Sequence, residues 1–346
     1  MASRALAFAD PDVIRLASEA FVPLAENCSP LQTQQDAKGE FFRLVAEQGH
    51  YGGRTVPSGT RQGQYAFTAD GQLLSSINTR DADKMRSMLS EALERWRPAS
   101  APDTSKTEAA PVTPTTYERD PRHPDLFPID GLVLKQTLRD LARPANHPIP
   151  QPRPDAINFD YAWFTKDEAR HFLPTTLQPG KRTDLPQATI RRLARFHLLD
   201  SVRGETPPWR EENTVHARIW TEIVKLEPGE DGHQRVHLHI EGTVLNQQEG
   251  TWAIRPFREK WEGQTRGYDC RILGDLVYNT ATERFEHFDV ITIGDRWGGT
   301  EHNARQGDLH PAPMGITFEI ASNSPADRTP PHANVWEYFD QPRPAA

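Results

Sequence analysis

Apolar residues recur along this chain with two periods, a helical one near the start and an alternating one toward the end. Asp10-Pro11 predicts a helix start, because the carboxylate caps free amides and proline at the first helical position gives up no hydrogen bond. Val13, Leu16, Ala17, Ala20 and Phe21 then form one helical stripe. The apolar run Phe21 to Ala25 predicts a strand. Asp36 to Gln48 predicts a second helix, with Phe41 and Val45 on one face and Gly49 placed to end it. Tyr65 and Phe67 alternate in a strand that turns at Asp70-Gly71 into Leu73 to Ile77, a hairpin signal. Met85, Met88, Leu89, Ala92, Leu93 and Trp96 make an amphipathic helix after Asp81.

Residues 98–116 carry one large apolar residue among prolines, serines and threonines, the composition of a disordered linker. Beyond it Leu132, Leu134 and Leu138 alternate with Lys135, Thr137 and Arg139, which favours a strand over a helix read from Leu134, Leu138 and Leu141. Arg143 to Pro154 is proline-dense and reads as extended backbone. Residues 155–203 are expected to hold two short helices. Thr165 and Glu168 form a capping box for the first. The second begins near Pro186, with Ile190, Leu193, Ala194, His197 and Leu198 on one stripe, so His197 reads as a hydrogen-bonded core histidine. From there the period is two. Strands near 214–224, 235–245, 251–260, 266–278, 284–294 and 314–321 predict an antiparallel β sandwich or barrel. The expected organisation is a first domain over 1–97, a linker over 98–116 and a β-rich domain over 117–340.

The order helix, strand, helix, hairpin, helix is that of the later part of a thioredoxin fold. Residues 1–97 resemble a thioredoxin-like domain, most like members with a D-P-x-V segment leading to F-V-P before the second strand, here Asp10 to Pro23. The resemblance implies an α/β first domain whose first strand is reduced to Arg4 to Phe8. It departs from redox-active members, since Ala9-Asp10-Pro11-Asp12 stands where the dithiol would be and Arg61-Gln62-Gly63 where a cis-proline is usual. The cysteines are Cys28 and Cys270, with no Cys-x-x-Cys, so the implied domain is redox-inactive. The whole chain also resembles a bacterial two-domain family that pairs such a unit with a β-rich domain, through Asp160 to Pro174, Arg192 to Thr206 and Gly274 to Gly298. That family brings no activity with it.

A length of 346 residues suits two domains, and 36% hydrophobic content fills two modest cores, while 30 prolines and a mean hydropathy of −0.70 imply extensive loops. A net charge of −8 without a basic stripe argues against nucleic acid. No apolar run long enough to span a bilayer and no secretory signal is evident, so a cytoplasmic protein with reduced thiols and no membrane partner is expected.

Two groups of residues could carry chemistry. His237 and His239 lie two apart on a strand and so share a face, where they could hold a metal. If Glu227 to Gly232 turns the chain, Glu222 faces His237, Trp220 faces His239, Arg218 faces Glu241 and His216 faces Thr243, which also fits a solvated hairpin face. The loop Trp297 to Pro313 is long and polar and offers Glu301, His302, Asp308 and His310 as acid, base or metal-ligating groups, with His302 and His310 as further metal candidates. Phosphate-loop, dinucleotide-loop, zincin and serine-hydrolase signatures are missing. The functional expectation is therefore a non-catalytic binding or interaction protein, with no cofactor, that takes a protein or small-molecule ligand on its β domain. The alternative is a divalent-metal-dependent enzyme seated in the 297–313 loop, and catalysis is left open.

Overall fold

The computed structural model describes residues 7–8, 10–26, 28–32, 36–50, 61–96, 127–143, 157–229, 232–254, 259–300, 302–305, 307–322, 325–328, 330–331 and 335–339. The chain divides into two compact units, residues 4–118 and residues 119–346 together with 1–3. The expected linker 98–116 lies outside the described residues.

In the first unit α1 (Pro11–Ala20) is capped by Asp10, whose carboxylate accepts from the amides of Asp12 and Val13 at 3.1 and 3.0 Å. A single helical turn, α2, spans Cys28–Leu31. Asp36 caps α3 (Ala37–Glu47), and Asp81 caps α4 (Ala82–Arg95). Strands β1 (Gln64–Phe67) and β2 (Leu73–Ile77) pair antiparallel across the expected turn. Val13 from α1, Ala66 and Leu74 from the hairpin, and Met85, Met88, Leu89 and Ala92 from α4 close one small core. The expected strand over Phe21 to Ala25 does not form, and Ala7 and Phe8 are helical instead of extended. Asp10 and Pro11 start a helix immediately after those two residues, which leaves no room for a strand. The sheet of this unit has two strands among the described residues.

The second unit is mostly antiparallel β. Its strands are β3 (Leu132–Asp140), β4 (Ile157–Phe164), β5 (Arg182–Asp184), β6 (Thr214–Pro228), β7 (Gln234–Ile254), β8 (Glu259–Asn279), β9 (Arg284–Trp297) and β10 (Ala312–Ile320). They form one sheet in the order β4-β3-β10-β9-β8-β7-β6-β5. The expected breaks near 245 and 260–266 vanish, because β7 and β8 run on as a single long hairpin. The sheet curls on itself. Leu134 of β3 and Ile219 of β6 have four strands between them, about 24 Å along a flat sheet at the usual strand spacing. Yet both line one apolar cavity of about 20 Å³ with Ile240, Ile272, Val290 and Phe318. A curled single sheet replaces the two-layered sandwich among the expected alternatives.

A helical segment lies across the inside of the curl. The capping box forms as expected: Thr165 and Glu168 exchange hydrogen bonds at the start of α5 (Lys166–Ala169), and a following turn places Phe172 in the core. Then α6 (Gln187–Arg192) continues into a wider π turn over Leu193–His197, closed by the amide of Leu198 donating to the carbonyl of Leu193 at 3.0 Å. The stripe Ile190, Leu193, Ala194, His197, Leu198 is buried throughout. Carbonyls loosened by the π turn are taken by the sheet. Asn246 of β7 donates to Ala194 at 2.8 Å, and Gln136 of β3 donates to His197. Near the C-terminus α7 (Val335–Tyr338) brings the Tyr338 hydroxyl to the free edge of β4, where it accepts from the amide of Trp163 at 3.0 Å.

Candidate functional site

The alternation that builds the core continues past its apolar residues. On β3 the inward positions are Leu132, Leu134, Gln136, Leu138 and Asp140, and on β9 they are Phe288, Val290, Thr292, Gly294 and Arg296. The sheet thus carries Asp140 and Arg296 inward at its end. Two loops meet them there. The segment after the π turn supplies Asp200 and Arg203, and the loop between β9 and β10 supplies Arg305 and Asp308. Glycine permits the loops to touch: a Cβ on Gly204 would lie 2.0 Å from the carbonyl of His302, which instead accepts from the amide of Glu205 at 3.1 Å. Gly298 begins the second loop at a φ of +75° and donates to the carbonyl of Leu309 at 2.8 Å.

Arg305 is the centre of the cluster and is fully buried. Its Nε and Nη2 donate to the two oxygens of Asp200, both at 2.6 Å. Its Nη2 and Nη1 reach the Asp140 carboxylate at 2.8 and 3.0 Å. Arg203 donates to Asp140 at 2.8 Å. Arg143, just beyond β3, forks onto Asp308 at 2.7 and 2.9 Å. Arg296 also grips Asp308, through both its carboxylate and its backbone carbonyl. Nearby, Arg266 stacks on Trp209 at 4.2 Å and donates to Gln248 at 2.8 Å.

Electrostatics fixes these groups in one protonation state. Burial pushes the carboxyl groups of Asp140 and Asp308 up, but the arginines outweigh it and hold both below the ordinary carboxylate range. For Asp140 the main opposing partner is Arg305, and for Asp308 it is Arg143. Burial lowers Arg305, and its contacts with Asp200 and Asp140 raise it further than burial lowers it. Arg266 is pushed down by burial to about 10 and stays charged.

Beside the cluster is a small polar recess. Gln136, Asn158, Asp160, His197, Ser201 and Glu205 line about 10 Å³, the room one water takes. His197 has no exposed surface; its Nε2 meets the Tyr338 hydroxyl at 2.8 Å and its Nδ1 meets Gln136 at 3.2 Å. Burial, aided by Arg192, drops its pKa to about 3, so the ring is neutral at ordinary pH. The Ser201 hydroxyl is buried here without a hydrogen-bond partner.

Among the residues singled out in the sequence, Asp308 enters the cluster, where both carboxylate oxygens accept from guanidinium groups. His302 and His310 of the same loop are exposed, and Glu301 lies outside the described residues. His237 and His239 share a face as expected, but each has its own acidic partner: Glu227 at 3.1 Å for His237 and Asp275 at 3.2 Å for His239. The register differs from expectation by two residues, since Glu222 faces His239, Trp220 faces Glu241, Arg218 faces Thr243 and Lys225 faces His237. The hairpin turns later than expected, between Pro228 and Gln234, and the irregularity between Ile223 and Lys225 takes back one residue, which leaves a shift of two that keeps every side chain on its face. Among the described residues no three His, Cys, Asp or Glu side chains group so as to hold a metal. Cys270 is buried, which pushes its thiol up to about 12, and neither cysteine is in a disulfide.

Arg143, Arg203, Arg296, Arg305, Asp140 and Asp200 were not among the site residues expected from the sequence. A signal for two of them exists: Asp140 and Arg296 continue the buried parity of their strands, where a charge demands a partner. The chain matches no protein-family model, no curated protein and no solved structure.

Proposed function

We propose that the protein is a non-catalytic binding protein: the 119–346 unit holds a ligand at its arginine–aspartate cluster, and the first unit is a redox-silent, thioredoxin-like interaction module. The observation that carries this reading is the protonation state of the cluster and the recess. A general acid or base works best with a pKa near the operating pH. Here Asp140 and Asp308 are held ionised, Arg305 is held charged, His197 is held neutral, and burial raises Tyr338 well above its ordinary value. Groups locked in this way position and attract, and they have no proton to exchange near neutrality. For the first unit the support is the helical pattern around Asp10 and Asp81 together with the missing dithiol.

The test is to incubate the full chain with a panel of small metabolites and follow each by ligand-observed NMR. At least one is expected to bind saturably and to be recovered unchanged after prolonged incubation. Time-dependent conversion of a bound compound would contradict the reading. In the same preparation insulin disulfides are expected to stay intact, and their catalysed reduction would overturn the redox-silent assignment.

A further inference from the structure

On the outer face of β8 and β9, residues oppose each other in the rows Asp269–Asp295, Arg271–Ile293, Leu273–Ile291 and Asp275–Asp289. An aliphatic patch therefore lies between two acidic rows. Leu273, Ile291 and Ile293 are 52%, 37% and 48% exposed. On the neighbouring β7 the same face carries His237, His239, Glu241 and Thr243, as a solvated sheet should. On the other side Gly315 of β10 pairs with Ile293, and a Cβ there would lie 3.3 Å from the side chain of Leu141, which continues the apolar surface.

The acidic rows are unfavourable in the isolated chain, because like charges directly opposite on neighbouring strands repel. His239 and His287, which carry charge only when protonated, lie 3.2 and 3.4 Å from Asp275 and Asp289. Arg271, in the middle of the patch, is 3.9 Å from Glu241. Asp269 and Asp295 are both exposed and form no ion pair among the described residues. At the usual strand rise Asp269 and Asp275 are about 20 Å apart along β8.

We propose that this face docks a cationic amphipathic helix of a partner protein. The aliphatic stripe of the helix covers Leu273, Ile291 and Ile293, and its ends place lysine or arginine over the two acidic rows. A helix covers 20 Å in about 13 residues, which sets the spacing of its basic ends. The patch supplies the apolar contact, and the rows select the sign of the partner and fix its register. The same charges disfavour a second copy of this chain, since every two-fold axis through the patch lays acidic row on acidic row. The face lies outside the curl, whereas the arginine–aspartate cluster lies inside it, so the inference does not rest on the binding reading above.

The test uses the full-length protein and fluorescence anisotropy of a labelled synthetic helical peptide of about 15 residues, with a leucine stripe and lysines at both ends. The same peptide with glutamates for lysines is the control. Saturable binding of the lysine peptide is expected, with none of the glutamate peptide. Asp269→Asn with Asp295→Asn, and separately Asp275→Asn with Asp289→Asn, should each weaken binding by about fivefold or more. Neither pair should lower the urea midpoint of the second unit, because each removes a repulsion. Ile291→Ser with Ile293→Ser should abolish binding. Failure of the lysine peptide to bind, equal binding of both peptides, or binding that survives all three double variants overturns the proposal. A dimer of the free chain that the serine variant dissociates in sedimentation also overturns it, since a second copy would then be the occupant.

Discussion

In the first unit the ion pairs are mostly on the surface. Arg95 with Glu91 and Arg15 with Asp12 are more than two-fifths exposed on both sides. Among the described residues Arg61 is the exception, buried beside a Glu47 that keeps a third of its surface. In the second unit Arg305 meets Asp140 and Asp200 out of water. The difference teaches where charge shapes each unit. Surface pairs adjust to what helix capping and apolar packing have already fixed. Buried pairs dictate which loops meet, because each member would be left uncompensated without the others. The described residues of 199–206 and 298–311 have little regular structure, and Asp200, Arg203, Arg305 and Asp308 help tie them to the sheet.

The sharpest way to break this comparison is to remove the central charge. Arg305→Leu leaves Asp140 and Asp200 buried without their main partner and should cost about 3–5 kcal/mol in urea unfolding of the second unit. A loss below about 1 kcal/mol would place the cluster with ordinary surface pairs.

Acid sharpens the comparison next. In the folded chain His197 has a pKa of about 3 against an ordinary 6.5, so the unfolded chain takes up the proton first. Stability from this group is complete above pH 6.5 and falls as pH drops toward 3, by about 1.4 kcal/mol per pH unit. His197→Gln should flatten that slope between pH 6 and 4.5. The lowered carboxyls of Asp140 and Asp308 act later: their contribution is whole above the ordinary 3.8 and is lost as pH falls through their folded values. An unchanged slope in the glutamine variant would show that His197 protonates freely in the folded chain.

The first unit should respond to its caps and ignore its surface pairs. Asp81→Ala removes the acceptor for the Lys84 amide and should cost about 1 kcal/mol. Arg95→Gln should change stability by less than about 0.5 kcal/mol. Both are read from the urea midpoint of the first unit's transition.

The same contrast explains what could be read from the chain alone. Helix starts at Asp10, Asp36, Asp81 and Thr165 are local, since cap and amide are neighbours in sequence, and all four form. The β3 alternation and the stripe from Ile190 to Leu198 were legible for the same reason. β4 was missed because Ile157–Phe164 inverts the usual pattern, with Asn158 and Asp160 buried on its inner face and Tyr161 and Trp163 outward, covered by Tyr338 from the far end of the chain. The 297–313 loop stood out by length and polarity, yet of its described candidates only Asp308 enters the cluster. Arg143, which pairs with Asp308, and Asp140 and Asp200, which pair with Arg305, come from remote segments, and no spacing rule connects them.

The central claim is that the buried pairs of Arg305 with Asp140 and Asp200 hold the loops that carry Asp200 and Arg305 to the sheet. It is tested most directly by amide hydrogen exchange of the full-length Arg305→Leu variant against the unaltered chain. The account predicts that exchange speeds up most in those two loops and at the Asp140 end of β3. Unchanged exchange in both loops would contradict it.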